Sequence, residues 1–199
     1  VNAPTLSELI DEAEVARLAA AFGPAPRLDV TVDMAGDVFD YWWHKLVVKR
    51  NRRGEATLAL QRPDGQVLLH TKPFYPANVY RLLTGGIFPG EAVTSGALRE
   101  AREETGLNVR LWRNAGTVVY TFRKGDRSVP FVSYVFLAQV NDAPPAPTDA
   151  DEPISDFRYV PPSELRAVAA ALRNLPGRWA DWGAFRAPPH DLAADALGA

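Results

Sequence analysis

The sequence predicts an α+β fold, a mixed β-sheet sandwiched by helices with helical extensions at both ends. Two groups of strand-type segments are separated by one helix-type segment, and further helix-type segments follow, an order that suits a mixed sheet covered by helices. The 199 residues, 47% hydrophobic and 23% charged, are enough for one packed domain with extensions and too few for two full domains. No internal repeat points to a solenoid.

The elements follow in order. Residues 5–22, "TLSELIDEAEVARLAAAF", read as one helix: Thr5 and Glu8 have capping-box spacing, Leu6, Leu9, Ile10 and Ala13 share a face, and Gly23 can end it. "PAPRLDV" reads as a connector, and from Asp37 the pattern turns to strands. "ATLALQ" and "QVLLHT" flank "RPDG", where Asp64-Gly65 signals a hairpin. "VYRLL" reads as a third strand entering a Gly85-Gly86 turn. Residues 93–105 suit a helix that Gly106 ends. "TVVYTFR" and "VPFVSYVFLAQV" are β-branched and aromatic strands, "NDAPPAPTDADEP" is a Pro-rich acidic loop, and "ISDFRYV" is a short strand. "SELRAVAAALRN" reads as a helix, and the tail is helical in parts. In that tail Trp179, Trp182 and Phe185 have near-helical spacing, to pack on the domain or on a second copy in a homodimer.

Composition narrows the function. There are no cysteines, which excludes disulfides, thiolate zinc sites and cysteine nucleophiles. The net charge of −2 gives no basic field for nucleic acid or a membrane surface, and neither partner is expected. No apolar run approaches the roughly 18 residues of a membrane span. The first residues lack the basic start and apolar core of a secretory signal, so a cytoplasmic protein is expected.

The chemistry concentrates in "GGIFPGEAVTSGALREAREETGLNV", residues 85–109. At about 100° per residue, Glu100, Glu103 and Glu104 share one helical sector. Ala97, Leu98, Ala101 and Thr105 share another, suited to packing on a sheet. The like pair Glu100 and Glu104 costs a few tenths of a kcal/mol in an isolated helix, while Arg99, four residues before Glu103, can orient it. A bare charge run is usually a solvated face; a divalent cation is the partner that would make these oxygens ligands, and carboxylates suit Mg²⁺ or Mn²⁺.

Gly85, five residues, Glu91, seven residues, Arg99-Glu100, Ala101, one residue, Glu103-Glu104, one residue, Gly106 and Leu107 form a long fixed spacing. It resembles the Nudix box, with every fixed position filled. Ala101 is small for a slot often held by a larger aliphatic, and Phe88 lies where many members carry an acid. Weaker resemblance runs over residues 37–165, which implies an organisation into an N-terminal helix and connector (1–36), a Nudix hydrolase domain (37–165) and a C-terminal helical extension (166–199).

The resemblance implies a Nudix-type hydrolase: water attacks phosphorus and cleaves a diphosphate bond in a small-molecule nucleotide, with Mg²⁺ or Mn²⁺ as cofactor. It implies that Glu100, Glu103, Glu104 and the Gly85 carbonyl hold the metal, that Arg99 orients a carboxylate, and that Glu91 ties the loop to the helix. Family members often recruit another carboxylate from outside the box. Asp149, Asp151 and Glu152 are candidates here, Glu152 first, as catalytic base; a solvated connector is the alternative.

Lys72 and Arg81 flank the strand leading into the box and are candidates for substrate phosphate. "KRNRR", Lys49 to Arg53, reads as a solvated turn. His44, His70 and His190 show no metal spacing and read as structural or exposed. Trp42, Trp43, Phe74, Tyr75 and Tyr80 could stack on a base, though aromatics beside strands more often belong to the core. Signatures that the resemblance would attach to ADP-ribose, NADH or dinucleoside polyphosphate hydrolases are absent or not clearly placed, so the substrate stays open. A catalytically silent nucleotide sensor or an interaction module on the same fold is the alternative to an enzyme.

Overall fold

The computed structural model describes residues 2–149 and 153–199. Among the described residues seven strands form one mixed sheet: β1 (Arg27–Asp33), β2 (Gly54–Gln61), β3 (Val67–Thr71), β4 (Leu83–Ile87), β5 (Arg110–Lys124), β6 (Arg127–Gln139) and β7 (Asp156–Val160). Their order is β1-β5-β6-β2-β3-β7, and β4 pairs with β2 as well. The β1–β5 and β2–β6 pairs are parallel and the others antiparallel. Helices cover both faces, as the sequence predicts. On one face α3 (Asp37–Trp43), α5 (Leu165–Arg173), α6 (Ala180–Arg186) and α7 (Pro188–Leu197) bury Phe39, Trp42, Leu165, Phe185 and Leu192 against the aromatic ridge of β5 and β6. On the other, α1 (Leu6–Leu9), α2 (Glu12–Phe22) and α4 (Val93–Thr105) bury Leu9, Leu18, Val93, Ala97 and Ala101 on the opposite side of β2 and β6.

Four segments differ from the sequence reading, each for a local reason. The helix expected over 5–22 is two helices. Ile10 is extended, and Asp11 accepts the Ala13 N–H at 2.9 Å, so a second cap restarts the chain where the first helix stops. The "PAPRLDV" connector enters the sheet as β1, in parallel register with residues 117–123 of β5. From Asp37 the chain is helical, α3 running into a wider π-type turn (His44–Val48). Phe39, Trp42 and Leu46 share its buried face, a helical period hidden under aromatic and β-branched composition. Finally, Gly85 and Gly86 are ladder residues of β4, opposite Ala56 and Glu55, rather than a turn.

The terminal segments are fastened to the sheet by polar contacts. Helix α4 begins at Ala92, which has no side chain to cap it. Glu14 of α2 does so instead: its Oε1 accepts the Val93 N–H at 2.7 Å, while its Oε2 accepts from Arg53 Nη2 at 2.7 Å. Arg53 also donates to the Glu91 carbonyl at 2.6 Å. At the other end, Asp181 of α6 accepts the N–H groups of Ala35 and Gly36, both at 2.8 Å, just before α3. His190 accepts the Leu82 N–H on Nε2 at 3.0 Å, which leaves Nδ1 to donate to the Arg186 carbonyl at 2.9 Å. Burial, with Arg81 and Arg186 nearby, pushes the His190 pKa down to about 3 against the Arg186 hydrogen bond, so it is a neutral structural group.

Glu14 is 8% exposed and satisfies both a guanidinium and a helix terminus. Glu14→Ala should therefore destabilise the fold by about 3–5 kcal/mol, the cost of leaving one partner of a buried pair behind, and Glu14→Gln by less. Urea unfolding measures both; an alanine variant as stable as the parent would refute the capping role.

Candidate active site

Helix α4 lies across β4 and β2, and one glycine sets how close it comes. A Cβ built on Gly85 would stand 1.9 Å from Cγ of Glu100, so only a bare backbone admits that side chain. Glu100 and Glu104 are consequently buried, 8% and 1% exposed, rather than spread over a solvated face. Leu98, expected on the packed side, is 41% exposed. The carboxylates that the helical period groups together are thus divided: Glu100 and Glu104 turn towards the sheet, and Glu103 stays half-buried.

Arg99 joins them. Its Nε donates to Glu91 Oε1 at 2.9 Å, and its Nη1 to Glu100 Oε1 at 2.8 Å and to Glu103 Oε2 at 2.9 Å. Its Nη2 donates to the Gly86 carbonyl at 2.8 Å and to Glu91 Oε2 at 3.1 Å. The hydrogen bonds that Arg99 donates to Glu91, then to Glu100, outweigh burial and raise its pKa further, so the guanidinium is a fixed charge. Burial alone would raise Glu91. The bonds from Arg99 and from the Phe88 N–H, at 2.9 Å, hold its pKa below the usual range instead, and so lock the loop to the helix.

Glu104 faces β3. Its Oε1 is 3.5 Å from Lys72 Nζ, and its Oε2 is 3.8 Å from Nδ1 of His70. His70 is fully buried, and desolvation, with Arg81 and Lys72 beside it, pushes its pKa well down. Among the described residues, neither ring nitrogen of His70 has a hydrogen-bond partner. Arg81 is buried as well, donating from Nε and Nη2 to the Tyr75 hydroxyl at 3.0 and 2.7 Å and from Nη1 to Thr84 Oγ1 at 2.9 Å.

These groups border a cavity of about 610 Å³, whose lining includes Gly85, Glu100, Glu104, Lys72 and Arg81. Of the residues that the sequence singles out, Glu103 and Arg99 are joined to this lining through the hydrogen bond from Arg99 to Glu100. The acidic loop reaches the same helix: Ala146 N–H donates to the Thr105 carbonyl at 2.8 Å and Thr148 N–H to that of Glu103 at 2.9 Å. Asp149 follows directly, its N–H 3.4 Å from the Glu103 carbonyl. Asp151 and Glu152 lie outside the described residues.

The cavity also holds residues that sequence reasoning missed. Arg52, part of the run read as a solvated turn, lines it, with its guanidinium 4.3 Å from the Phe88 ring centroid. Arg186 of α6 reaches Glu55 of β2, donating from Nη1 to both carboxylate oxygens at 2.7 and 2.8 Å. These partners are 131 residues apart, and no local pattern could pair them.

The donors suit a hard divalent cation, since the carboxylates of Glu100 and Glu104 line the cavity together with the backbone of Gly85. Among the described residues no three Asp, Glu or His side chains converge to enclose an ion by themselves. An ion here would need further oxygens from water or ligand, as Mg²⁺ usually does.

The family model of the NUDIX domain matches residues 51–182. No curated protein matches the chain significantly. Among solved structures, an Ap4A hydrolase of C. elegans in a binary complex is 16% identical, covers 73% of this chain and 97% of its own, and has a TM-score of 0.49. A MutT protein from Methanosarcina mazei is 14% identical, with 87% and 94% covered and a TM-score of 0.46. A Nudix hydrolase from M. smegmatis, RenU, is 24% identical, with 67% and 83% covered and a TM-score of 0.44.

One guanidinium thus serves three carboxylates and a carbonyl, a task that the single ammonium of lysine cannot perform. Arg99→Lys should lower stability by about 2 kcal/mol, in the range of hydrogen bonds to charged groups, with loss of helical protection over residues 99–104. Hydrogen exchange together with thermal melting would check this, and a variant unchanged in both would refute it.

Proposed function

Because the chain belongs to the NUDIX domain family and is a Nudix-type hydrolase, we propose that it cleaves a diphosphate bond in a nucleoside diphosphate derivative with Mg²⁺ or Mn²⁺. The observation that carries this reading is the meeting of Glu100, Glu104 and Gly85 on one wall of a cavity that also presents Lys72, Arg52 and Arg81. Carboxylates alone would repel a phosphate, and cations alone would only bind it. The two together suit a site that takes a phosphate and a divalent ion at once.

In this reading Glu100, Glu103, Glu104 and the Gly85 carbonyl hold the metal, which supplies charge neutralisation on the phosphate oxygens when bound. The residues of the chain do the rest. Arg99 keeps Glu100 and Glu103 in one orientation through paired hydrogen bonds. Lys72 is the phosphate contact closest to Glu104, at 3.5 Å from its Oε1. Arg52 is held over Phe88 and has no acidic partner within 4.0 Å among the described residues, so its charge is available to a ligand. Arg81, committed to Tyr75 and Thr84, shapes the wall more than it binds. Water adds its oxygen to one phosphorus, the bridging P–O bond breaks, and the water's proton passes to a base, for which Glu152 is proposed. The products are two phosphate monoesters, or, where the substrate ends in free phosphates, a shorter nucleotide and the inorganic phosphate or pyrophosphate cut from it. A cytoplasmic small-molecule enzyme, with no helix among the described residues long and apolar enough to cross a membrane, is consistent with this chemistry.

The test is a product-release screen with Mg²⁺ and Mn²⁺ over ADP-ribose, NADH, dinucleoside polyphosphates, nucleotide sugars, coenzyme A and nucleoside triphosphates. Glu103→Gln and Glu104→Gln should abolish turnover with the fold retained by circular dichroism; normal activity in either would sink the site assignment. Glu152→Gln should flatten the pH–rate profile, and an unchanged profile would remove it as the base. Nucleotide binding without turnover by the parent would favour a sensor.

A further inference from the structure

We propose that strand β1 is an interface through which two copies of the chain join edge to edge, antiparallel about a two-fold axis at Val30, so that the sheet continues from one copy into the other. The proposal goes beyond the hydrolase reading and does not depend on it, since no β1 residue lines the cavity.

The C-terminal aromatics Trp182 and Phe185 are buried in the chain's own core, so they are not the surface offered to a second copy. The two edges of the sheet differ. At one, β7 is five residues long and runs straight into Pro161 and Pro162, the brevity and the prolines with which proteins close an edge. At the other, β1 has seven residues, no proline or lysine, and an unbroken register with β5. Among the described residues no second strand lies beside it.

The backbone of β1 is open on its outer side. At its start the Pro26 carbonyl accepts the Thr117 N–H at 2.9 Å, and at its end the Met34 N–H donates to the Arg123 carbonyl at 2.8 Å. By alternation, the even-numbered residues between them turn their N–H and C=O groups to β5, and Arg27, Asp29, Thr31 and Asp33 turn theirs outwards. All four are exposed.

A second copy fits this edge because its sequence, "RLDVTVD", is its own complement. Antiparallel pairing about Val30 sets Arg27 opposite Asp33 of the second copy, twice by symmetry, and Asp29 opposite Thr31. Each such pair exchanges two backbone bonds, so about eight close the edge. On the other face of the strand Leu28, 40% exposed, comes to lie over Val32 of the second copy, and Val30 meets its own equivalent. The neighbouring registers fail on charge. Centred on Asp29, the pairing sets that carboxylate against itself; centred on Thr31, it sets Asp29 against Asp33 twice, and like charges directly opposite are destabilising. Neither end charge is saturated within the chain. Arg27 makes only loose contacts, 3.6 Å from Asp29 and 4.0 Å from Glu12. Asp33 holds Arg123 at 2.8 Å but keeps 75% of its side chain exposed, with lone pairs left for another guanidinium.

One strand edge is a small surface, of the class that gives weak and reversible association. The experiment is therefore sedimentation velocity on the full chain from about 1 μM to about 1 mM, the span of weak dissociation constants. The parent should pass from monomer to dimer and stop there, because a two-fold contact closes on itself. Thr31→Pro removes only an N–H that faces outwards, a place where an edge strand accepts proline; circular dichroism should be unchanged and the dimer weakened about ten-fold or more. Arg27→Glu and Asp33→Arg should each stay monomeric, since each sets like charges opposite in its own pair. Mixing these two variants should restore a dimer, one copy of each, in which both end pairs are again of opposite charge. The mixing result stands whether or not the proline variant folds. A parent monomeric over the whole range, a dimer indifferent to a folded Thr31→Pro, or charge variants that do not recover each other on mixing would each overturn the interface.

Discussion

The close approach of strand β4 to helix α4 governs the rest of the site. At Gly85 there is room for the Glu100 side chain and nothing else; a methyl group would occupy the same space as Cγ of Glu100. Such contact between a strand and a helix normally brings apolar groups together, and here Val93, Ala97 and Ala101 fulfil that role along the same helix. The glycine substitutes a carboxylate into the packed face without prising the layers apart. Burial of that carboxylate costs free energy unless it is paired, and Arg99 supplies the pair. Arg99 in turn is oriented by Glu91 and by the Gly86 carbonyl, so the loop, the strand and the helix are held by one planar cation. Phe88 stacks beneath both Arg99 and Arg52, at 4.8 and 4.3 Å from its centroid. An acid at that position would draw Arg99 away from the carboxylates it now holds; an aromatic ring steadies it without competing.

The segments outside the conserved spacing are part of the same mechanical system. Helix α4 has no cap of its own, and Glu14 from the first helices provides one while neutralising Arg53, whose neighbour Arg52 faces the cavity. From the other terminus, His190 binds the Leu82 N–H one residue before β4 begins, and Arg186 binds Glu55, which lies opposite Gly86 in the ladder. Both termini therefore converge on the backbone around Gly85 and Gly86. A short strand, paired at 83–87 with β2 alone among the described residues, receives from these contacts the rigidity that a central strand gains from two neighbours.

How much of this was legible in the sequence depends on the range of the interaction. The helix over 93–105, its end at Gly106, the Asp64-Gly65 hairpin and the strands of the long β5–β6 hairpin are specified by neighbours within a few residues, and they stand where the sequence puts them. The spacing from Gly85 to Leu107 named the family for the same reason. The carboxylates' burial was not legible, because a helical wheel gives only angle, and the space that accepts Glu100 is created by the absence of a side chain on another element. Helix α3 was misread because Phe39, Trp42 and Leu46 lie among Tyr, Trp and Val residues whose composition favours strands. Strand β1 was missed because a parallel edge strand, with only Val32 buried, carries no hydrophobic run. Arg52 looked like one charge in a solvated cluster, and only the fold separates it from the exposed Lys49 and Arg50.

The arrangement divides the work between what the family spacing fixes and what this chain adds. The residues proposed for the reaction belong to a local cassette in which strand, loop and helix are adjacent in sequence, so its geometry can be preserved by a short motif. Residues about 100 positions apart also meet at the cavity, Tyr75 on one loop and Trp179 and Trp182 at the far end, with the buried Arg81 against both Tyr75 and Trp182. This aromatic set is no more rigid than its anchors. Asp181 and Arg186 meet that need because each contact is made to an element already fixed, the start of α3 and the central strand β2, and neither depends on the ligand being present.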